Sequence, residues 1–317
     1  MIEVERLEKS YGFARALKGI SFSVQKGEVV GFLGPNGAGK STTMKILTGY
    51  LLPNAGQASI GGFDVVDESL EVRRRVGYLP ESTPLYGDMR VDDYLRFCAE
   101  IRGVPRRRRK ASIQRAIELC GLQRVTGKDI VELSKGYRQR VGLAQAIVHE
   151  PPVLILDEPT AGLDPNQIVE VRKLIKRLGS EYTVVLSTHI LQEVEKSCSR
   201  VIIVNQGEIV ADGSQEELVQ RLPAGGLLAR VRGPEAQVLS QCGELLPGCP
   251  VTVAGRSNTS VDYFLDVGSG SAPVEEAFAR LVVKNGWDLL ELRRERATLE
   301  DVFRSLTQQA QKEAMHA

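Results

Sequence analysis

A chain of 317 residues, 42% hydrophobic and 26% charged, carries enough apolar side chain for one large folded domain and a smaller one, which excludes a wholly disordered protein. Its 41 basic residues nearly cancel 40 acidic ones, so no global field draws it to nucleic acid or to an anionic surface. Cys98, Cys120, Cys198, Cys242 and Cys249 are odd in number and form no C-x-x-C pair, which argues against a disulfide framework or a zinc site and fits a reducing cytoplasm.

The first residues, Met1-Ile2-Glu3-Val4, read as a strand start and not as a basic, then apolar leader. No apolar run approaches the ~20 residues that span a bilayer, so membrane work calls for a partner chain. Residues 29–33 form a short apolar run that ends in a Gly-rich turn, followed by helix-forming residues from Lys40 to Leu47: strand, loop, helix. Unbroken apolar or β-branched runs at 153–156, 183–187 and 200–204, with helical stretches between them, suit strands covered on both faces of a mostly parallel sheet. Between about 85 and 150 the pattern turns helical, with segments at 91–102 and 111–120 broken by Gly103-Val104-Pro105, so an α-helical insertion is expected there.

A helix from Ser214, with Glu217 completing a capping box, stops at Pro223-Ala224-Gly225-Gly226 and marks a boundary between domains 1–223 and 224–317. The second domain reads as strand 227–232, helix 234–242, strands 251–254 and 260–267, helix 273–284 and strand 287–293. That β-α-β-β-α-β order is the α+β ferredoxin-like plan. Val274, Ala277, Phe278, Leu281 and Val282 fall on one helical stripe, and a last helix is expected after Thr298 as N-cap, with Asp301 at its third position.

Gly34-Pro35-Asn36-Gly37-Ala38-Gly39-Lys40-Ser41 fits G-x-x-x-x-G-K-[ST] and sits between strand and helix, the context that motif requires. Its glycines let backbone N–H groups face a phosphate, and the helix that opens at Lys40, Ser41 and Thr42 adds the positive end of its dipole. Lys40 is placed to reach the phosphates, and the Ser41 hydroxyl to ligate magnesium. The run at 153–156 ends in Asp157-Glu158, two carboxylates aimed rigidly by a buried strand. Asp157 belongs near magnesium, and Glu158 is the candidate general base for an attacking water.

Leu133-Ser134-Lys135-Gly136-Tyr137 resembles the L-S-G-G-Q signature of ABC ATPases, with Lys135 in place of a glycine and Tyr137 in place of the glutamine. The resemblance covers nearly all of the first 220 residues and implies a P-loop α/β ATPase with a mixed sheet, ATP and magnesium as ligands, and a homodimer that sandwiches two nucleotides head to tail. It further implies that Ser134 and Gly136 bind nucleotide held by the opposite subunit, and that Asp164, in Ala161-Gly162-Leu163-Asp164, belongs to the loop crossing the dimer interface. His189, in Ser187-Thr188-His189, takes the switch-histidine position, and Tyr11 the place of the ring stacked on adenine. Glu81, in Gly77-Tyr78-Leu79-Pro80-Glu81, stands where the family has a metal-contacting glutamine, in a loop that couples to a transmembrane partner.

Tyr78-Leu79-Pro80-Glu81, Pro84-Leu85-Tyr86, the variant signature and Thr298-Leu299-Glu300-Asp301-Val302-Phe303 resemble ATPase subunits of ABC-2-type exporters, and within them the bacterial gliding-motility-associated subgroup. This implies a chain held at the inner face of the cell membrane by separate permease subunits, with no nucleic-acid partner. The competing reading, a soluble ABC ATPase that remodels nucleic acid or ribosomes, lacks its usual companions here: a second cassette, long coiled coils or zinc modules. Arg106-Arg107-Arg108-Arg109-Lys110, without interleaved aromatics, reads as a solvated connection between helices.

Overall fold

The computed structural model describes residues 1–220, 226–246, 249–257, 259–267, 274–294 and 298–306. The chain divides into two units, 1–215 and 216–317, so the division falls eight residues ahead of the expected one. The Gln215 side-chain amide donates to the carbonyls of Val194, Glu195 and Cys198, which ties the chain just after the last strand of the first unit to that unit.

The first unit contains two sheets. One is antiparallel, in the order β2 (Ala14–Val24), β1 (Ile2–Tyr11), β4 (Ala55–Ile60) and β5 (Phe63–Asp64). The other has six strands in the order β10 (Glu208–Ser214), β9 (Arg200–Asn205), β3 (Val29–Leu33), β8 (Thr183–Thr188), β7 (Val153–Asp157) and β6 (Val76–Leu79). Its pairs are parallel except at the β10 edge, so the sheet is mixed. Every residue of β7 and β8 is buried, which is why these strands read as continuous apolar runs with no alternation. The core joins residues of both sheets with Met44, Ile46 and Leu47 of helix α1 (Lys40–Leu47), and the rings of Phe22 and Phe32 meet at 5.3 Å.

Strand order decides where the chemistry lies. β8 runs between β3 and β7, with Leu33 opposite Thr188 and Asp157 opposite Ser187. The parallel register thus delivers the ends of three strands, and the loops that follow them, to one edge of the sheet.

Helix α2 (Ser69–Arg75) leads into β6, and the insertion contains α3 (Val91–Ile101), α4 (Arg106–Cys120) and α5 (Lys135–Ile147). Here the sequence expectation needs correcting: Arg106 to Lys110 are the opening turns of α4 and not a connection. Pro105, with φ near −56°, sets up the helix start, and Arg and Lys are good helix formers.

After α8 (Gln215–Gln220), the second unit contains β11 (Leu227–Arg232), α9 (Glu235–Leu245), β12 (Val251–Arg256), β13 (Val261–Leu265), α10 (Val274–Lys284) and β14 (Asp288–Arg294). The sheet order is β12-β13-β11-β14, antiparallel throughout. Val274, Phe278, Leu281 and Val282 of α10 join its core, whereas Ala277 is exposed, at the margin of the stripe. Thr298 and Asp301 cap one another: the Asp301 carboxylate accepts from the Thr298 N–H and hydroxyl, and the Asp301 N–H donates to Thr298 Oγ1. These bonds hold the Asp301 carboxyl below its ordinary range. The stop expected at 223–225 and the helix start expected at Pro273 lie outside the described residues.

Candidate active site

The phosphate loop runs from the end of β3 into α1, and its glycines are required sterically. A Cβ on Gly34 would lie 2.2 Å from the Val204 carbonyl oxygen, and Gly37 and Gly39 hold φ of 80° and 108°. Helix α1 opens with no side-chain cap and no acidic residue in its first turn, which leaves its N–H groups available to an anion. Asn36, Gly37, Gly39, Lys40, Ser41 and Thr42 line a cavity of about 430 Å³ with Glu81, Glu158 and His189.

Lys40 is 5% exposed and is held by oxygen on all sides: it donates to the carbonyls of Gly34 (2.8 Å) and Pro35 (3.1 Å), and its ammonium is 3.5 Å from Glu158 Oε1. Ser41 Oγ donates to Asp157 Oδ1 at 3.0 Å. A hydroxyl and a carboxylate are the hard oxygen donors that magnesium takes, so these two residues fit that ion. The other Glu158 oxygen, Oε2, is 2.8 Å from Nδ1 of His189, whose ring is about half exposed while Glu158 is buried. The buried carboxylate therefore faces a cation on one side and an imidazole on the other, at the wall of the cavity.

Three residues that sequence reasoning missed hold this arrangement. Ser187 Oγ donates to Asp157 and accepts from the Glu158 N–H, which also donates to the Ser187 carbonyl. These bonds anchor Glu158 at φ 47°, a left-handed conformation unfavourable for a residue with a Cβ. Thr160 and Glu193 are the other two: the Thr160 hydroxyl donates to the Glu193 carboxylate, which is 1% exposed. A Ser two residues before a His, and a Glu four residues after that His, were the available signals.

Other predicted residues lie elsewhere. Ser134 caps α5, accepting from the Tyr137 N–H, and Gly136 packs so closely on Gln167 that a Cβ would meet its side chain at 2.8 Å. Asp164 caps α6 (Pro165–Gly179) by accepting from the Gln167 N–H at 2.9 Å. Gly136 and Asp164 meet at Gln167, and neither they nor Ser134 line the phosphate-loop cavity of their own chain. Tyr11, at the end of β1, is 51% exposed and is also absent from that lining. Pro35 and Ala38 shape the loop, with the Ala38 N–H donating to the Pro35 carbonyl. Two of the three departures from the family pattern share a second cavity, also about 430 Å³: Glu81 and Lys135 line it with Lys45, Ser41 and Asp157, and Tyr137 does not.

A parallel-sheet phosphate loop with paired magnesium donors and a buried carboxylate on a histidine defines a phosphate-loop nucleoside triphosphatase. The family model described as ABC transporter matches residues 17–161, and a model described as an AAA domain matches 129–195, the stretch from the signature helix past His189. An ABC transporter ATP-binding protein of Bacillus subtilis, itself uncharacterized, is 33% identical over 303 residues, 96% of this chain and 98% of its own. Nod factor export ATP-binding protein I of Burkholderia pseudomallei is 34% identical over 307 residues, 96% of each chain. Among solved structures, an ATP-binding subunit of an ABC transporter superposes with a TM-score of 0.64 at 32% identity, over 70% of this chain and 92% of its own. The chain belongs to the ATP-binding subunits of ABC transporters. It is accordingly an ATPase that takes ATP with magnesium.

Proposed function

We propose that this chain powers an ABC-2-type exporter of the gliding-motility-associated subgroup, as a homodimer that closes on two ATP molecules and drives separate transmembrane permease subunits. The observation that carries the hydrolytic part is the Lys40–Glu158–His189 array beside the Ser41–Asp157 pair. In this reading the loop amides and Lys40 hold the phosphates. Ser41 and Asp157 hold magnesium, which supplies neutralising charge when bound. Glu158 orients the attacking water and accepts its proton, and His189 steadies both the carboxylate and the terminal phosphate. Ser134, Gly136 and Asp164 act on the nucleotide of the other subunit, Tyr11 stacks on adenine, and Glu81 carries the metal-side contact of its loop.

Coupling to a permease is supported by two exposed rings next to the Glu81 loop, Tyr86 and Phe97, which meet at 5.7 Å, with Tyr86 also 6.0 Å from the buried Tyr94. No helix among the described residues is long and apolar enough to cross a membrane, so attachment to the inner face of the cell membrane runs through those subunits. Export is supported by the Nod factor export relative. We read the second unit, with its β-α-β-β-α-β order, as a ferredoxin-like domain.

Glu158→Gln is expected to keep ATP binding, lower turnover at least 100-fold and accumulate an ATP-bound dimer in size-exclusion chromatography. Normal turnover by that variant would remove Glu158 as the base. Gentle detergent purification of the tagged chain is expected to recover a polytopic membrane protein that alters its ATPase rate. Recovery of RNA or ribosomal proteins alone would defeat the transport reading.

A further inference from the structure

The Glu158 and His189 loops follow different strands, β7 and β8, yet their side chains meet at 2.8 Å. Something must fix one loop against the other. Helix α7 (Leu191–Ser197) carries Glu193, whose carboxylate is buried and divides its oxygens between the two loops. Oε1 accepts from Thr160 Oγ1, two residues beyond Glu158, and Oε2 accepts from Thr188 Oγ1 at 2.7 Å, one residue before His189.

Each threonine passes the constraint inward. Thr188 Oγ1 also accepts from the Ile190 N–H at 3.0 Å, so its hydroxyl bridges the residues on both sides of His189. Behind Glu158, the Ala161 N–H donates to the Glu158 carbonyl and the Leu163 N–H to the Thr160 carbonyl, which makes the turn holding Thr160 the same turn that holds Glu158. A carboxylate has two acceptor oxygens in fixed geometry, so one side chain sets the separation of both hydroxyls. Its burial with two hydroxyl donors, at the first turn of a helix whose dipole favours negative charge, keeps it in place without a cation among its hydrogen-bonding partners.

We propose that Glu193 is a positioning residue for ATP hydrolysis: through Thr160 and Thr188 it holds Glu158 and His189 in register with each other. It does not touch the nucleotide cavity, and its effect is on turnover and not on nucleotide capture. Misplacing catalytic groups by about 1 Å costs roughly 100-fold in rate.

The test measures steady-state ATP turnover and MgATP binding by the full-length chain. Glu193→Ala is expected to lower kcat about 100-fold with KM changed less than threefold. Thr160→Val and Thr188→Val each remove one hydroxyl while keeping side-chain shape, and each is expected to lower kcat about tenfold with unchanged KM. Thr160→Ser, which restores the hydroxyl, is expected to recover kcat to within twofold of the parent. Full kcat in both valine variants, or a fall in kcat that Thr160→Ser shares with Thr160→Val, would overturn the proposal, and neither result depends on whether Glu193→Ala folds. A KM rise equal to the kcat loss in the valine variants would also overturn it, by placing the effect on binding. Because the readout is ATP turnover by this chain alone, failure here leaves the exporter reading standing.

Discussion

Ser187 does as much for the site as the residues that name it. One hydroxyl donates to Asp157 and accepts from the Glu158 N–H, so it fixes the Asp157 carboxylate and the strained Glu158 backbone together. Ser187→Ala is expected to lower kcat roughly tenfold and to raise the magnesium concentration needed for half-maximal activity, measured by titrating magnesium at saturating ATP. Lys40, Ser41, Asp157, Glu158 and His189 were legible in the sequence because each sits at a strand end or in a motif whose spacing is local. Ser187, Thr160 and Glu193 were not, since the bonds from Ser187 to Asp157 and Glu158 and from Thr160 to Glu193 each join residues about 30 positions apart, brought together by the pairing of β7 with β8. A buried Glu in α7 looks from sequence like an ordinary solvent-facing acid.

Elements were legible in proportion to how far their signal was local. The strand–loop–helix at 29–47 and the runs that became β7, β8 and β9 are carried by continuous burial, whereas of the antiparallel sheet only the start of β1 was read, because the exposed and buried residues of β1 and β2 alternate irregularly. The start of α4 was missed because a run of five cations looks like solvated coil, yet it opens a helix at the end where the dipole disfavours positive charge. His149, just beyond α5, joins that helix to β6 through a contact of 3.2 Å between Nε2 and the Val76 carbonyl; its Nδ1 is buried without a partner. Burial, then Arg102, push its pKa down to about 4, well below the ordinary value of 6.5. The unfolded chain therefore takes up this proton first as pH falls. The contribution is fully present above pH 6.5 and is lost between there and about pH 4, worth at most roughly 3 kcal/mol. His149→Gln keeps a donor for Val76 without titrating, and its urea midpoint is expected to fall less than the parent's between pH 7 and pH 5.

At the scale of the molecule, each unit has its own apolar core, one built on Ile2, Phe32 and Met44, the other on Tyr263, Phe278 and Val231. The residues proposed to hold ATP and magnesium all belong to the first unit, so linkage is expected to stabilise that unit by mass action. Calorimetry of the full chain is expected to show two transitions, of which MgATP raises one by several degrees and leaves the other within about 1 °C. A single transition that moves as a whole would show that the two cores unfold together.

Glu81 and Lys135 depart from the family pattern, one by adding a negative charge and the other a positive one, and both face the cavity behind Ser41 and Asp157. Together with Lys45 and Asp157 they make a wall of two cations and two anions. For anyone building chimaeras between ABC subunits, this makes the Glu81 loop and the opening of α5 a single transferable block. Importing one without the other leaves an unmatched charge beside Ser41 and Asp157, whereas exchanging both preserves neutrality.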